Sequence, residues 1–121
     1  MKKLISLFTI SLCFLMSSMS VNAQNVNVTG AILGNGTYPT LKAAFDAING
    51  TSQILATISV DIVASTAEPL MATLNANLWT SLTITTSVGG VIVAGSDTVT
   101  IKLAGADNVT IDGRIAEPAE I

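Results

Sequence analysis

The chain has 121 residues, of which half are apolar, 11% charged and 4% aromatic, and it contains no histidine. Since histidine is the usual proton-transfer residue near neutral pH and the commonest metal ligand, its absence disfavours catalysis and transition-metal binding. Two of the five basic residues, Lys2 and Lys3, fall in a predicted export signal, so three basic residues face eight acidic ones in the remainder. This balance excludes a basic nucleic-acid interface.

Residues 1–23 are typical of a signal peptide. Lys2 and Lys3 precede an apolar run over 4–16, and the small residue Ala23 marks the predicted cleavage site before Gln24. The apolar run has about 13 residues, whereas a bilayer-spanning helix needs about 20, so we expect no transmembrane segment after cleavage. The single cysteine, Cys13, leaves with the signal, which predicts a mature chain without disulfides.

The segment 24–50 predicts a strand followed by the clearest helix of the chain. Val26 and Val28 alternate with polar neighbours, as in a half-buried strand. Thr40 is a suitable N-cap, and Gly50 stands where a helix ends. Apolar residues recur at i, i+3, i+4 and i+7 of the predicted helix, about 40–49: Leu41, Ala44, Phe45 and Ile48. A helix this short must pack on a larger apolar surface.

The segment 51–113 is rich in Thr, Val, Ile, Ser and Gly and predicts strands only. Ile58, Val60 and Ile62 alternate with polar residues, which predicts one buried face. Further strands are predicted at 81–86, 91–95, 98–103 and 108–113, with turns at Gly89-Gly90, Gly95-Ser96-Asp97 and Gly105-Ala106-Asp107.

An internal repeat relates residues 95–101 (GSDTVTI) to residues 105–111 (GADNVTI). Short strands with such corners form either antiparallel hairpins or the flat sides of a coil whose turns stack. The Thr-rich and Ser-rich outer positions favour the coil, because stacked turns place like residues in ladders. A small β-sandwich with antiparallel pairing is the alternative architecture.

Two stretches resemble the start of parallel β-helix proteins of the pectate-lyase-like superfamily, in particular secreted repeat proteins of Bacteroidetes-type bacteria. Residues 37–49 (TYPTLKAAFDAIN) are similar to the helix that caps such a coil, and residues 103–113 (LAGADNVTIDG) are similar to its repeated strand motif. Between them, 58–63 and 81–84 look like the first strands of the coil. The resemblance covers roughly 26–113.

The resemblance implies an all-β fold, namely the start of a right-handed parallel β-helix with a short N-terminal capping helix at about 40–49. On this interpretation 24–50 form the first strand and the cap, 51–113 the first turns of the coil, and 114–121 a truncated continuation. Fewer than three turns fit into this length. An open last turn exposes unpaired backbone groups, so it would favour self-association.

Acidic residues offer the clearest candidate chemistry. Lyases of the superfamily hold calcium on strand carboxylates, and on that basis Asp107, Asn108 and Asp112 are the candidate Ca²⁺ ligands. The residues themselves favour a structural interpretation, because Asp97 and Asp107 follow Gly-x at corners and Asp112 precedes Gly113 in a turn. We therefore expect no resident metal or cofactor, and no catalytic residue carries over from the family.

Two aromatic residues, Trp79 and Tyr38, are the candidate sugar-stacking platforms. Because each is isolated in the sequence, we interpret them instead as covers of the core, Tyr38 beside the helix and Trp79 at the corner before Leu82. Threonines predicted to point outward are Thr83, Thr85, Thr98, Thr100 and Thr110, which we interpret as strand formers on a solvated face.

The sequence therefore predicts an exported, non-enzymatic β-helix segment of a larger secreted or cell-surface protein of a Gram-negative bacterium. Its expected role is adhesion or contact with polysaccharides or cell-surface glycans. The alternative is the front end of a polysaccharide lyase or hydrolase whose active site lies in later turns of the coil. Clustered Asp, Lys and Arg on one strand face of such turns would distinguish the enzyme.

Overall fold

The computed structural model describes residues 23–96 and 98–114. The predicted export signal, apart from Ala23, therefore lies outside the described residues, as do Asp97 and the predicted continuation after Arg114. Nine strands and one helix follow one another in the described parts: β1 Val26–Thr29, β2 Gly36–Tyr38, α1 Leu41–Asn49, β3 Thr57–Ile62, β4 Thr66–Glu68, β5 Ala72–Asn75, β6 Ser81–Thr85, β7 Val93–Gly95, β8 Ile101–Ala104 and β9 Val109–Asp112. The predicted sheet-rich fold with one short helix is confirmed.

The strands form one sheet of five strands and two sheets of two. The large sheet has the order β2-β1-β3-β6-β9, and the small sheets are β4-β7 and β5-β8. β1 pairs antiparallel with β2 and β3, whereas every later pairing in these sheets is parallel. Each of β3, β4, β5 and β6 thus pairs in parallel with the strand three places later.

The register of the parallel pairs differs from sheet to sheet. Thr57 lies opposite Ser81, 24 positions later, while Thr66 lies opposite Val93, 27 positions later. In the third sheet Ala72 lies opposite Ile101, 29 positions later. The corners between strands therefore vary in length while the strands stay aligned.

The apolar core lies between the three sheets and the helix, and it follows the predicted alternation. Ile58, Val60 and Ile62 of β3 are buried, as the sequence predicts. Leu82 and Ile84 of β6 are buried beside them. Because side chains alternate between the two faces of a strand, the intervening Ser and Thr residues point outward.

The repeat at 95–101 and 105–111 leads into strands of different sheets. β8 begins at Ile101 and pairs with β5, while β9 begins at Val109 and pairs with β6. The strand predicted at 98–103 therefore starts later than expected. The hairpin interpretation of the repeat does not hold, since β8 and β9 are not partners in any sheet.

Helix α1 forms where the sequence predicts it. The Thr40 side chain accepts a hydrogen bond from the Ala43 N–H, and Gly50 follows the last helical residue. The predicted apolar face is buried in full and packs mainly on β5: Leu41, Ala44, Phe45 and Ile48. Among residues 23–96 and 98–114, no helix is long and apolar enough to span a membrane.

Candidate functional site

The three candidate calcium ligands lie at opposite ends of strand β9. Asp107 and Asn108 are exposed and precede the strand, whereas Asp112 is its last residue. Asp112 lies four residue steps after Asn108 along the extended chain, a distance of about 13 Å. The structure therefore does not bring the three side chains together around one ion. In the described parts of the chain no group of three or more Cys, Asp or Glu is placed to hold a metal.

Asp112 instead forms a surface ion pair with Arg114. Its two carboxylate oxygens accept hydrogen bonds from the Arg114 Nε and Nη2 groups, each at 3.0 Å. These side-chain hydrogen bonds, with a further one from the Arg114 backbone N–H, lower the pKa of Asp112 from 3.8 to about 2. The carboxylate therefore stays charged across the whole physiological pH range.

Replacing Arg114 by alanine should raise the pKa of Asp112 from about 2 towards 3.8. The guanidinium favours the charged carboxylate, so its loss makes the carboxylate easier to protonate. An NMR titration of the Asp112 carboxyl carbon measures this shift. An unchanged midpoint in Arg114→Ala would show that the pair does not form in solution.

Trp79, the first candidate sugar platform, belongs to the core. Its side chain is 4% exposed, and its indole N–H donates to the Asp107 carbonyl oxygen at 2.7 Å. The indole therefore joins the corner before β6 to the corner before β9, which lies 28 residues later. It offers no exposed ring face to a sugar, in agreement with the interpretation that Trp79 covers the core.

Tyr38, the second candidate, closes the loop between β1 and β2. It packs partly buried against the core, and its hydroxyl donates to the Gly34 carbonyl oxygen at 2.8 Å. Trp79 and Tyr38 do not meet in one site, because they lie on different corners of the fold.

The outer surface of the five-stranded sheet carries two rows of short polar side chains, which we call the outer face. One row crosses all five strands, and the other crosses four of them. The register defines the first row as Thr37, Asn27, Asp61, Thr85 and Asp112, and the second as Thr29, Ser59, Thr83 and Thr110. Neighbouring strands lie about 4.8 Å apart, so hydroxyl, amide and carboxylate groups recur at that spacing.

Two of the residues on the outer face are fixed by further hydrogen bonds. Asp61 accepts from the Ser87 backbone N–H at 2.9 Å, and Asp112 is held by Arg114 as described above. The threonine hydroxyls between them stand beside these anchored carboxylates. The outer face thus combines positioned acceptors with hydroxyls that both donate and accept.

One end of the core is closed by the N-terminal segment. β1 covers the edge of β3, and the Asn49 side chain bonds both the Thr73 carbonyl oxygen and the Asn75 N–H on the edge of β5. Asn49 thereby replaces a neighbouring strand. The Glu68 carboxylate of β4 accepts the backbone N–H groups of Leu41 and Lys42 at the start of the helix.

The other end of the core is open in the described parts of the chain. Leu103 and Ile111 are 43% and 55% exposed, although their register partners Leu74 and Ile84 are 0% and 2% exposed. A cavity of about 190 Å³ opens at this end; its apolar lining residues are Ile62, Ile84, Val91, Val93, Ile101 and Ile111. We call this surface the open end.

A groove of about 560 Å³ lies at the corner after the helix, and its lining includes Asn49, Asn77, Leu78 and Asp107. Its amide side chains are already engaged. The Asn77 oxygen accepts from the Gln53 N–H at 2.8 Å, and its NH₂ group donates to the Thr51 carbonyl at 2.9 Å. The groove therefore offers fewer free polar groups to a ligand than its composition suggests.

Sequence reasoning found the outward threonines of β6 and β9 but missed that β1 and β2 extend the same surface. The alternation of Asn27 and Thr29 with buried valines was the available signal. Comparison with known proteins adds nothing to this geometry, since no family model, curated protein or solved structure matches the chain.

Proposed function

We propose that this chain is the capped start of a right-handed parallel β-helix of the pectate-lyase-like kind, within a larger exported protein. Three consecutive strands that each pair in parallel with the strand three places later support a coil of three-sided turns. The spacings of 24 to 29 residues are of the size that such turns need. A closed first end and an open second end agree with a coil that continues.

The function we propose is non-enzymatic contact with a polysaccharide or cell-surface glycan at the outer surface of a Gram-negative bacterium. The observation that carries it is the outer face, with its repeated hydroxyl, amide and carboxylate groups. Sugars present hydroxyls that both donate and accept hydrogen bonds, and a flat array of short polar side chains satisfies them along an extended chain. Apolar stacking plays no part in this proposal, because Trp79 is buried.

The charge of the outer face favours a neutral glycan. Asp61 and Asp112 lie in one row on either side of Thr85, and the predicted mature chain carries more acidic than basic residues. A glycan rich in uronic acids would be repelled by this surface. Neutral chains such as arabinoxylan or mannan are therefore the probes of choice.

Affinity electrophoresis of the exported protein tests this proposal. We expect arabinoxylan or mannan in the gel to retard the protein, and polygalacturonate to leave its migration unchanged. The double variant Thr83→Ala/Thr85→Ala should lose most of the retardation, since it removes two central hydroxyls of the outer face and leaves the buried side of β6 intact.

Thr73→Ala is the matched control, because Thr73 lies on β5, in a different sheet. It should migrate like the unmodified protein. If no neutral polysaccharide retards the unmodified protein, the outer face is not a glycan-binding surface. The same follows if Thr83→Ala/Thr85→Ala and Thr73→Ala are retarded equally.

A further inference from the structure

Five large aliphatic side chains are exposed together at the corner next to the helix C-terminus. They come from three loops, and each is more than half exposed: Ile32 51%, Leu33 60%, Ile54 53%, Leu55 80% and Leu78 65%. We call them the corner patch. Side chains exposed to this extent make an apolar surface on the order of 500 Å², the size of the largest patch on a typical monomer, which is often functional.

Buried hydrogen bonds hold the three loops side by side. Gln53 is fully buried, and its side chain accepts from the Ile32 N–H at 2.8 Å and donates to the Leu33 carbonyl at 2.8 Å. The Leu55 N–H donates to the Leu78 carbonyl at 3.0 Å. The corner patch is therefore a preformed surface rather than a set of separate loop residues.

Leu55 adopts a backbone conformation that leucine rarely takes. Its φ is +59°, a left-handed conformation that glycine adopts without cost and that costs other residues about 1–2 kcal/mol. The leucine side chain gains no compensating burial, since it is 80% exposed. Backbone strain that no contact within the monomer offsets is typical of residues at binding sites.

We propose that the corner patch is the centre of a symmetric dimer interface between two copies of this chain. All five side chains are uncharged, and the exposed Asp107 lines the groove that Leu78 also borders. A purely aliphatic surface is complementary to itself, as a two-fold axis requires. Its area fits the apolar centre of an interface that buries about 800 Å² per partner.

The proposed dimer is independent of the glycan contact. The corner patch lies on loops at the corner after the helix, and none of its five residues lines the cavity at the open end. Two copies joined at this corner leave each outer face exposed, and each open end remains accessible.

Sedimentation equilibrium of the exported protein at micromolar concentrations tests the proposal, with Leu55→Gly as the variant. We expect a reversible dimer, and a dissociation constant raised at least about tenfold in Leu55→Gly. Glycine accepts the left-handed backbone, so the melting temperature of this variant should not fall below that of the unmodified protein. The melting temperatures are compared at a protein concentration below the dissociation constant, where dimerisation does not contribute to stability.

Leu70→Gly is the matched control, because Leu70 is 61% exposed on another corner; it should leave the dissociation constant unchanged. Leu103→Asp should do the same, since it alters only the open end. A monomeric unmodified protein would overturn the proposal, as would a dimer that Leu103→Asp abolishes and Leu55→Gly does not. Binding of the monomer to phosphatidylcholine vesicles, lost in Leu55→Gly, would instead assign the patch to a lipid surface.

Discussion

Replacing Glu68 by alanine should lower the free energy of unfolding by about 3 kcal/mol, although Glu68 touches no proposed ligand surface. Its carboxylate is 2% exposed and accepts three hydrogen bonds, from the N–H groups of Leu41 and Lys42 and from the Thr66 hydroxyl. Alanine leaves these donors without their acceptor. It also removes the negative charge that opposes the positive end of the helix dipole.

Thermal unfolding followed by circular dichroism measures this effect. For a domain of this size, a loss of about 3 kcal/mol lowers the melting temperature by roughly 15 °C. The melting temperature of Glu68→Gln should lie between those of the unmodified protein and Glu68→Ala, because the amide keeps one acceptor oxygen and replaces the other with a donor.

Asp107→Ala is the control for the loss of one negative charge. The Asp107 side chain is exposed, so the substitution should change the free energy of unfolding by less than about 0.5 kcal/mol. If Glu68→Ala melted at the same temperature as Asp107→Ala, the carboxylate would not be anchoring the helix.

The helix was predictable from the sequence, but the Glu68 carboxylate that binds its first N–H groups was not. Thr40 and the apolar spacing that begins at Leu41 are local signals, read within ten residues. Glu68 lies 27 residues beyond the start of the helix, in a strand of three residues too short to show alternation. Its role arises only when β4 folds beside the helix N-terminus, which no local pattern encodes.

The outer face was predictable strand by strand but not as a surface. Alternation in β3 and β6 separates inward from outward residues correctly, because one face of each strand is buried. Which outward residues become neighbours depends on the lengths of the corners. The ten-residue repeat gave no guide to this, since the structural partners of its two copies lie in different sheets.

Burial of the tryptophan was predictable from the sequence, but its hydrogen-bond partner was not. An isolated tryptophan is a candidate sugar platform, but its large apolar area favours its use as a cover for a small core. In the structure the apolar ring of Trp79 is buried, and its polar N–H group is satisfied by a hydrogen bond to the Asp107 carbonyl oxygen. The sequence did not identify that carbonyl as a partner, because the two residues are 28 positions apart.

The same substitution in two register-matched isoleucines should have very different effects. Ile84 and Ile111 lie opposite each other on β6 and β9, and both point to the interior. Ile84 is 2% exposed, so Ile84→Ala should reduce the free energy of unfolding by about 3–4 kcal/mol. Ile111 is 55% exposed, so Ile111→Ala should cost less than about 1 kcal/mol.

Urea unfolding of both variants measures the difference, and the buried Leu74 with its exposed partner Leu103 provides a second matched pair. Equal losses for Ile84→Ala and Ile111→Ala would contradict an open end, since only a covered Ile111 leaves a cavity when it is shortened. The proposed continuation of the coil adds a further expectation. In a longer protein whose next strand pairs with β9, Ile111 becomes an interior residue, and the cost of Ile111→Ala should rise to that of Ile84→Ala.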